Sequence, residues 1–277
     1  MRKIIFDQLT TSSLGFGCST LTKQFSKSKA IKILDIAFDC GITHFDTARA
    51  YGFGMAESLL GIFSRNKRNK ITITTKFGLE SKKVFTNNLF LINTARLAIN
   101  TVGGLKKNVV SHTSGINKRE IISAENAEKS LHQSLRELKT DYIDFFLLHE
   151  CLLTEANNEA LIKFFERSIA DGKIRHVGLA GADTRNLNNH NLPPIYNVLQ
   201  YHNEEKFEKT HSFYTGVSQL HIHYNILSQK SGKDNKSVAE LLKSSAANNK
   251  NGICLFTSTN ENHIRSNVSA WNEFKIN

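Results

Sequence analysis

The chain predicts a (β/α)8 barrel preceded by an N-terminal edge strand or hairpin, and three observations carry that prediction. Eight strand-like runs alternate with helical stretches, the pattern that builds a parallel sheet with helices on its faces. The length, 277 residues, suits one closed barrel better than a simple sandwich. Polar side chains recur where successive strands end, and the C-terminal rim of a barrel is where groups from different strands converge. Residues 1–277 are read as a single domain with no linker.

Taken in order, Arg2 to Leu9 alternates loosely, as an edge strand does, and Leu14-Gly15-Phe16-Gly17-Cys18 reads as the first buried strand. Ala30, Ile33, Leu34, Ala37 and Phe38 then recur at helical spacing, giving one apolar stripe that Gly41 terminates. Thr43 to Thr47 is the second strand, with Asp46 near its end and Tyr51 on the loop beyond. A helix around Met55 to Phe63 leads to the β-branched run Ile71 to Lys76. Residues 78–122 exceed an ordinary connection and are Asn-rich and basic, which suggests a lid or substrate wall. Periodicity resumes at Ala127, Leu131, Leu135 and Leu138, followed by the fourth strand, Tyr142 to Leu148, ending in His149. Leu161, Phe164, Phe165 and Ile169 mark a helix, and Ile174 to Leu179 the fifth strand. Asn197 to Tyr201 and Val217 to Tyr224 supply two more, with only a poorly periodic helix candidate between them at 202–216. Ser237-Val238-Ala239-Glu240 is a capping box, Gly252 to Phe256 the eighth strand, and Ile264, Val268 and Trp271 stripe a last helix.

Composition narrows the function. A hydrophobic share of 40% and a charged share of 22% are globular values, and no apolar run approaches the roughly 18 residues that span a bilayer. The first acid, Asp7, precedes any apolar signal core, and the four cysteines, Cys18, Cys40, Cys151 and Cys254, show no C-x-x-C pair. A cytoplasmic protein with reduced thiols is expected. The 36 basic against 25 acidic residues leave a formal charge of +11, but the excess is scattered and no nucleic-acid module accompanies it, so no nucleic-acid partner is expected. No histidine sits in H-E-x-x-H or other metal spacing, and no G-x-S-x-G elbow offers a nucleophile.

In such a barrel Asp46, Lys76 and His149 end neighbouring strands and Tyr51 lies on the adjoining loop. A buried lysine needs a carboxylate to stay charged, and a cation beside a phenol favours the ionised phenol, so Asp, Lys and Tyr form a proton relay. A histidine alongside can orient a substrate carbonyl while the tyrosine protonates its oxygen. Hydride must come from elsewhere, because no protein side chain supplies it.

At these residues the chain resembles the aldo-keto reductase family over essentially its full length. The matching pieces are Gly15-Phe-Gly-Cys18, Phe45-Asp-Thr-Ala-Arg-Ala-Tyr51-Gly52 with Glu57 and Gly61, and Thr75-Lys76. They continue with Asp141-Tyr-Ile-Asp-Phe-Phe-Leu-Leu-His149, Gly172-Lys-Ile-Arg-His-Val-Gly178, Leu199-Gln200 and Asn262-His-Ile-Arg-Ser-Asn267. The resemblance implies a TIM barrel that binds NADPH, with NADH possible, and reduces an aldehyde or ketone. It assigns Tyr51 as general acid, Lys76 and Asp46 as the pair that lowers its pKa, and His149 as the residue orienting the carbonyl. It also implies cofactor contacts from Gly17, Cys18, Asp46, Gln200, Tyr224, Thr257, Ser258, His263 and Asn267. The substrate and the oligomeric state are left open.

This sequence departs from the family pattern in three places. Ala180-Gly181 replaces the Ser-Asn that contacts the nicotinamide carboxamide, removing two side-chain hydrogen bonds of about 1 kcal/mol each. Thr257, before Ser258, and His263 stand where NADP-selective members carry a lysine and an arginine, with Arg265 a possible substitute. The chain stops at Asn277, and a pocket open on that side is expected. The alternative function is a catalytically weak nucleotide-binding barrel acting as a regulatory or assembly subunit.

Overall fold

A computed structural model describes residues 1–80, 88–91, 93–94, 118–181, 192–203, 219–227 and 236–274. Two short strands, β1 (Lys3–Phe6) and β2 (Leu9–Ser12), form an antiparallel hairpin that stands apart from the main sheet. The barrel strands are β3 (Leu14–Gly17), β4 (His44–Asp46), β5 (Thr72–Phe77), β6 (Ile143–His149), β7 (Ile174–Ala180), β8 (Tyr196–His202), β9 (Leu220–Tyr224) and β10 (Ile253–Phe256). They close in chain order, every neighbouring pair parallel, with β10 against β3. This is the eight-stranded barrel that the alternation predicted. Of the edge strand or hairpin expected at the N-terminus, the structure has the hairpin, with Asp7 at φ 51 in the turn that folds the alternating run back on itself.

The period of two along each strand decides what points inward. Phe145 and Leu147 of β6, Val198 of β8, Leu220 and Ile222 of β9 and Ile253 and Leu255 of β10 make one buried cluster inside the barrel. Ile4, Phe6 and Leu9 of the hairpin join it, so the hairpin plugs the N-terminal end of the barrel. With that end filled by apolar side chains, polar inward-facing positions remain for the C-terminal rim.

Helices cover the outside. They are α1 (Lys27–Asp39), α2 (Met55–Ser64), α3 (Ala124–Leu138), α4 (Glu159–Ala170), α5 (Val238–Asn248) and α6 (Glu261–Glu273), besides a one-turn helix at Leu153–Ala156. Ser26, Ser123, Asn158 and Ser237 each accept a backbone N–H as N-cap, and Ser237 and Glu240 close the capping box read from the sequence. Gly41 follows α1 at φ +93, the left-handed conformation that ends a helix at low cost. At the N-terminal end, Asp144 accepts from Arg68 at 2.7 Å, from Arg175 at 2.9 Å and from the Ile73 amide at 2.9 Å, tying β5, β6 and β7 together. The helix candidate at 202–216 and most of 78–122 lie outside the described residues. No helix among the described residues is long and apolar enough to cross a membrane.

Gly61 marks the closest approach of α2 to α3. A Cβ there would fall 2.3 Å from the Glu137 carbonyl oxygen and 2.8 Å from Leu138 Cα, both backbone atoms that cannot swing aside. Alanine is the better helix former by about 1 kcal/mol, but forcing two helix backbones apart costs about 1–3 kcal/mol, so the clash wins. Gly61→Ala should therefore lower the urea midpoint at unchanged m-value, whereas propensity alone would raise it.

Candidate active site

Parallel register aligns the site. Gly17 of β3, Asp46 of β4 and Thr74 of β5 lie level, and Lys76 stands two residues further toward the rim. Across the barrel, His149 of β6, Ala180 of β7 and Gln200 of β8 form a second level. Inward alternation therefore brings side chains separated by up to 154 residues into contact.

Lys76 is the centre. Its Nζ donates to Asp46 Oδ1 at 2.7 Å, to the Thr47 carbonyl at 2.8 Å and to Tyr51 Oη at 3.5 Å. The lysine and aspartate side chains are 1% and 5% exposed, so neither charge can rely on water. Burial by itself pulls the ammonium pKa down, but Asp46 and then Tyr51 more than reverse this, leaving Lys76 above the ordinary lysine value. It is a fixed cation. Removing either partner would strand a buried charge, at a cost of about 3–5 kcal/mol.

The phenol departs from expectation. Burial pushes the Tyr51 pKa up by more than Lys76 brings it down, and Asp46 adds to the rise, so the net direction is upward rather than the expected downward one. Tyr51 thus carries its proton firmly at neutral pH, poised as a donor and not as a phenolate. The His149 ring meets the Tyr51 ring edge-on at a centroid separation of 6.1 Å. Burial, helped by Lys76, draws the His149 pKa down to about 3, so the imidazole is neutral and can donate one N–H. Among the described residues its Nδ1, which is buried, has no hydrogen-bond partner.

Asp46, Tyr51 and His149 line a cavity of about 510 Å3 at the C-terminal mouth of the barrel, within the size range of small-molecule and cofactor pockets. Gly17, Gln200, Tyr224 and Thr257, four of the residues assigned to cofactor contact, line the same cavity. Cys18 does not: its side chain is 1% exposed and its Sγ approaches the Phe16 carbonyl. Asn267 is buried on α6, away from the cavity lining. Ser258 caps locally onto Asn260, and the backbone N–H groups of Asn262 and His263 both donate to Asn260 Oδ1. Arg265 is held by Glu261 at 2.9 Å.

Several contacts and lining residues escaped the sequence. Gln200 donates its amide to Asp46 Oδ2 at 2.6 Å, a contact across the barrel with no local signal. Glu57, quoted above only as part of a motif, is fully buried and takes Thr75 Oγ1 at 2.7 Å and Arg49 at 3.3 Å. It therefore links the loop between Asp46 and Tyr51 to the residue before Lys76. Ser19, Glu150, Asn225, Ile226 and Leu227 also line the cavity. Among the described residues, no group of three His, Cys, Asp or Glu side chains could hold a metal ion.

The profile of the Aldo/keto reductase family matches residues 13–233, most of the chain. The chain belongs to the aldo/keto reductase family. Proteins of this family are oxidoreductases that use nicotinamide cofactors. Among curated relatives, an uncharacterized oxidoreductase of Bacillus subtilis is 30% identical over 179 residues, 65% of this chain and 48% of that protein. An aldo-keto reductase of the same organism is 26% identical over 214 residues, 71% of this chain and 54% of that protein. The chain thus spans about half the length of the curated relatives it matches. Among solved structures, an aldo-keto reductase from Bacillus halodurans superposes with a TM-score of 0.71 at 18% identity, covering 100% of this chain and 92% of that one. One from Klebsiella pneumoniae, in complex with NADPH, superposes with a TM-score of 0.64 at 16% identity, covering 98% and 90%. At such identities the structural likeness concerns the fold. The aldo/keto reductase barrel read from the sequence is the one found.

Two buried imidazoles give the pH behaviour a definite sign. His44 and His149 both have their pKa drawn from 6.5 down to about 3, chiefly by burial. Below pH 6.5 the unfolded chain binds protons that the folded chain refuses, so stability falls as pH drops from 6.5 toward 3 and is flat from this source above 6.5. Each histidine contributes a slope of about 1.4 kcal/mol per pH unit in that window. Urea unfolding of wild type and His149→Gln across pH 4 to 7 should show the variant losing one such share of the slope.

Proposed function

We propose that this protein reduces an aldehyde or ketone to an alcohol with NADPH, NADH being accepted, and that Tyr51 is its general acid. The observation that carries the reading is a protonated Tyr51 and a neutral His149 lining one cavity, with the Lys76 cation fixed behind the phenol. The lining fits a nicotinamide cofactor in kind: Gly17 backbone, the Tyr224 ring, the Gln200 amide and the Thr257 hydroxyl offer flat, apolar and hydrogen-bonding surfaces together. Gln200, Tyr224, Gly17 and Thr257 would hold it, with Ser258 and His263 beyond them. When bound, the cofactor supplies the hydride that no side chain can.

The side chains supply the rest. His149 donates its N–H to the carbonyl oxygen and fixes its direction, which a protonated imidazole would do less selectively. Tyr51 transfers its proton to that oxygen as negative charge develops there, and the Lys76 ammonium stabilises the phenolate that forms. Asp46 keeps Lys76 charged and in place. The apolar contribution of Ile226, Leu227 and Phe256 to the cavity wall limits water around these charges.

Cofactor choice follows from what remains for a 2′-phosphate. Asn260 occupies the first amides of α6 and Glu261 holds Arg265, the substitute read from the sequence, so neither is at hand without a rearrangement. NADPH should therefore be preferred over NADH by no more than about tenfold in dissociation constant, since one charge-assisted contact suffices for that ratio. Titration of both cofactors measures it, and a preference of a thousandfold would place a cation elsewhere.

The central test is loss of the reduced-nicotinamide absorbance with a panel of aldehydes and ketones. Turnover on a member of the panel is expected. Tyr51→Phe should then lower kcat by roughly 10²–10⁴ while leaving the NADPH dissociation constant nearly unchanged, because only the proton donor is lost. Lys76→Met should do likewise. Cofactor binding without turnover on any carbonyl would favour the regulatory-subunit reading instead.

A further inference from the structure

The cavity wall formed by the ends of β6, β7 and β8 lacks polar side chains where β7 ends, since Ala180 and Gly181 stand there. Glu150 fills the gap from the neighbouring strand. Its backbone is left-handed at φ 56, uncommon for a residue with a Cβ, and its N–H donates to the Ala180 carbonyl at 2.7 Å. A Cβ on Gly181 would fall 2.6 Å from Glu150 Cδ and 2.7 and 2.8 Å from its two carboxylate oxygens. Gly181 is also at φ +135, where a side chain is strained. Glycine at 181 therefore leaves open the space in which the Glu150 carboxylate lies: a polar group missing from the end of β7 is provided by the residue that follows β6.

Among the described residues, the carboxylates lining the cavity are Asp46 and Glu150. Asp46 is already taken by Lys76 and Gln200, and the Gln200 amide nitrogen is engaged in that contact. Glu150 is a second carboxylate at the cavity wall, beside the apolar end of β7. An ionised carboxylate only accepts, and it has about four acceptor directions, so one contact does not exhaust it. Resting on the reading above that the cavity takes a nicotinamide cofactor, we propose that Glu150 is a cofactor-positioning residue whose carboxylate accepts an N–H of the nicotinamide carboxamide. The carboxamide is the ring substituent that offers N–H donors. Anchoring it fixes the rotation of the ring, and with it the face presented to Tyr51 and His149.

The test compares NADP+ with its acetylpyridine analogue, which carries a methyl ketone in place of the carboxamide and so has no N–H to donate. Dissociation constants are measured by titration calorimetry for wild type, Glu150→Ala and the near-isosteric Glu150→Gln. Wild type should bind NADP+ about tenfold more tightly than the analogue, the size expected of one charge-assisted hydrogen bond. Glu150→Ala should bring that ratio close to one, and Glu150→Gln should fall between, because its amide oxygen still accepts but carries no charge. A ratio that is the same in all three proteins while NADP+ still binds overturns the assignment of Glu150 and leaves the cofactor reading standing. Failure of wild type to bind NADP+ at all overturns both.

Discussion

The contact between Lys76 and Asp46 is the constraint on which the site depends. Two charges that are almost fully removed from water can remain ionised only together, and at 2.7 Å each is the other's solvent. Because the pair cannot separate cheaply, it fixes the ends of β4 and β5 relative to one another. Thr47 gives its carbonyl to the same ammonium, which holds the start of the loop that carries Tyr51. Gln200 then reaches the far oxygen of Asp46 from β8. One ion pair thereby gathers three strands and a loop.

The barrel makes this possible by keeping water from the other end. The β1–β2 hairpin and the inward side chains of β6, β8, β9 and β10 fill the interior below the site with apolar volume. A charge placed above such a floor is poorly screened, so modest rearrangements of hydrogen bonds have large electrostatic effects. That is also why burial outweighs Lys76 in setting the acidity of Tyr51, and why His149 stays neutral. Glu57 performs a related task one layer out. It is buried, its carboxyl pushed up by burial against the pull of Arg49, and it joins Arg49 and Thr75 on the two segments that meet at Lys76.

At the start of α6 the cause of the departure is a competing local partner. The first amides of α6 would suit a phosphate, but Asn260 two residues before Asn262 satisfies them from its own side chain. Arg265 was expected to swing toward a phosphate, but Glu261 lies one turn before it on the same face, an ordinary i,i+4 pair. Cys18 matched a motif position, yet the chain enters a 3-10 turn at that residue and the thiol turns into the core. Motif matching locates backbone, and the direction of a side chain depends on the turn that follows.

The sequence by itself determined the barrel, the order of its strands, and the identity of Asp46, Lys76 and His149 as the polar groups at strand ends with Tyr51 on the adjoining loop. Hydrophobic period and helix caps are local signals, and eight alternating units leave few topologies to consider. Only the tertiary structure decided which of these groups touch, with what protonation, and with which helpers. Gln200 against Asp46, Glu57 against Thr75, and Glu150 over Gly181 join residues that no spacing rule connects. Their contacts arise from barrel closure, which sets strand register and so the level at which each inward side chain emerges. The upward shift of Tyr51 likewise follows from how much water the folded barrel excludes, a quantity that exists only once the strands have closed.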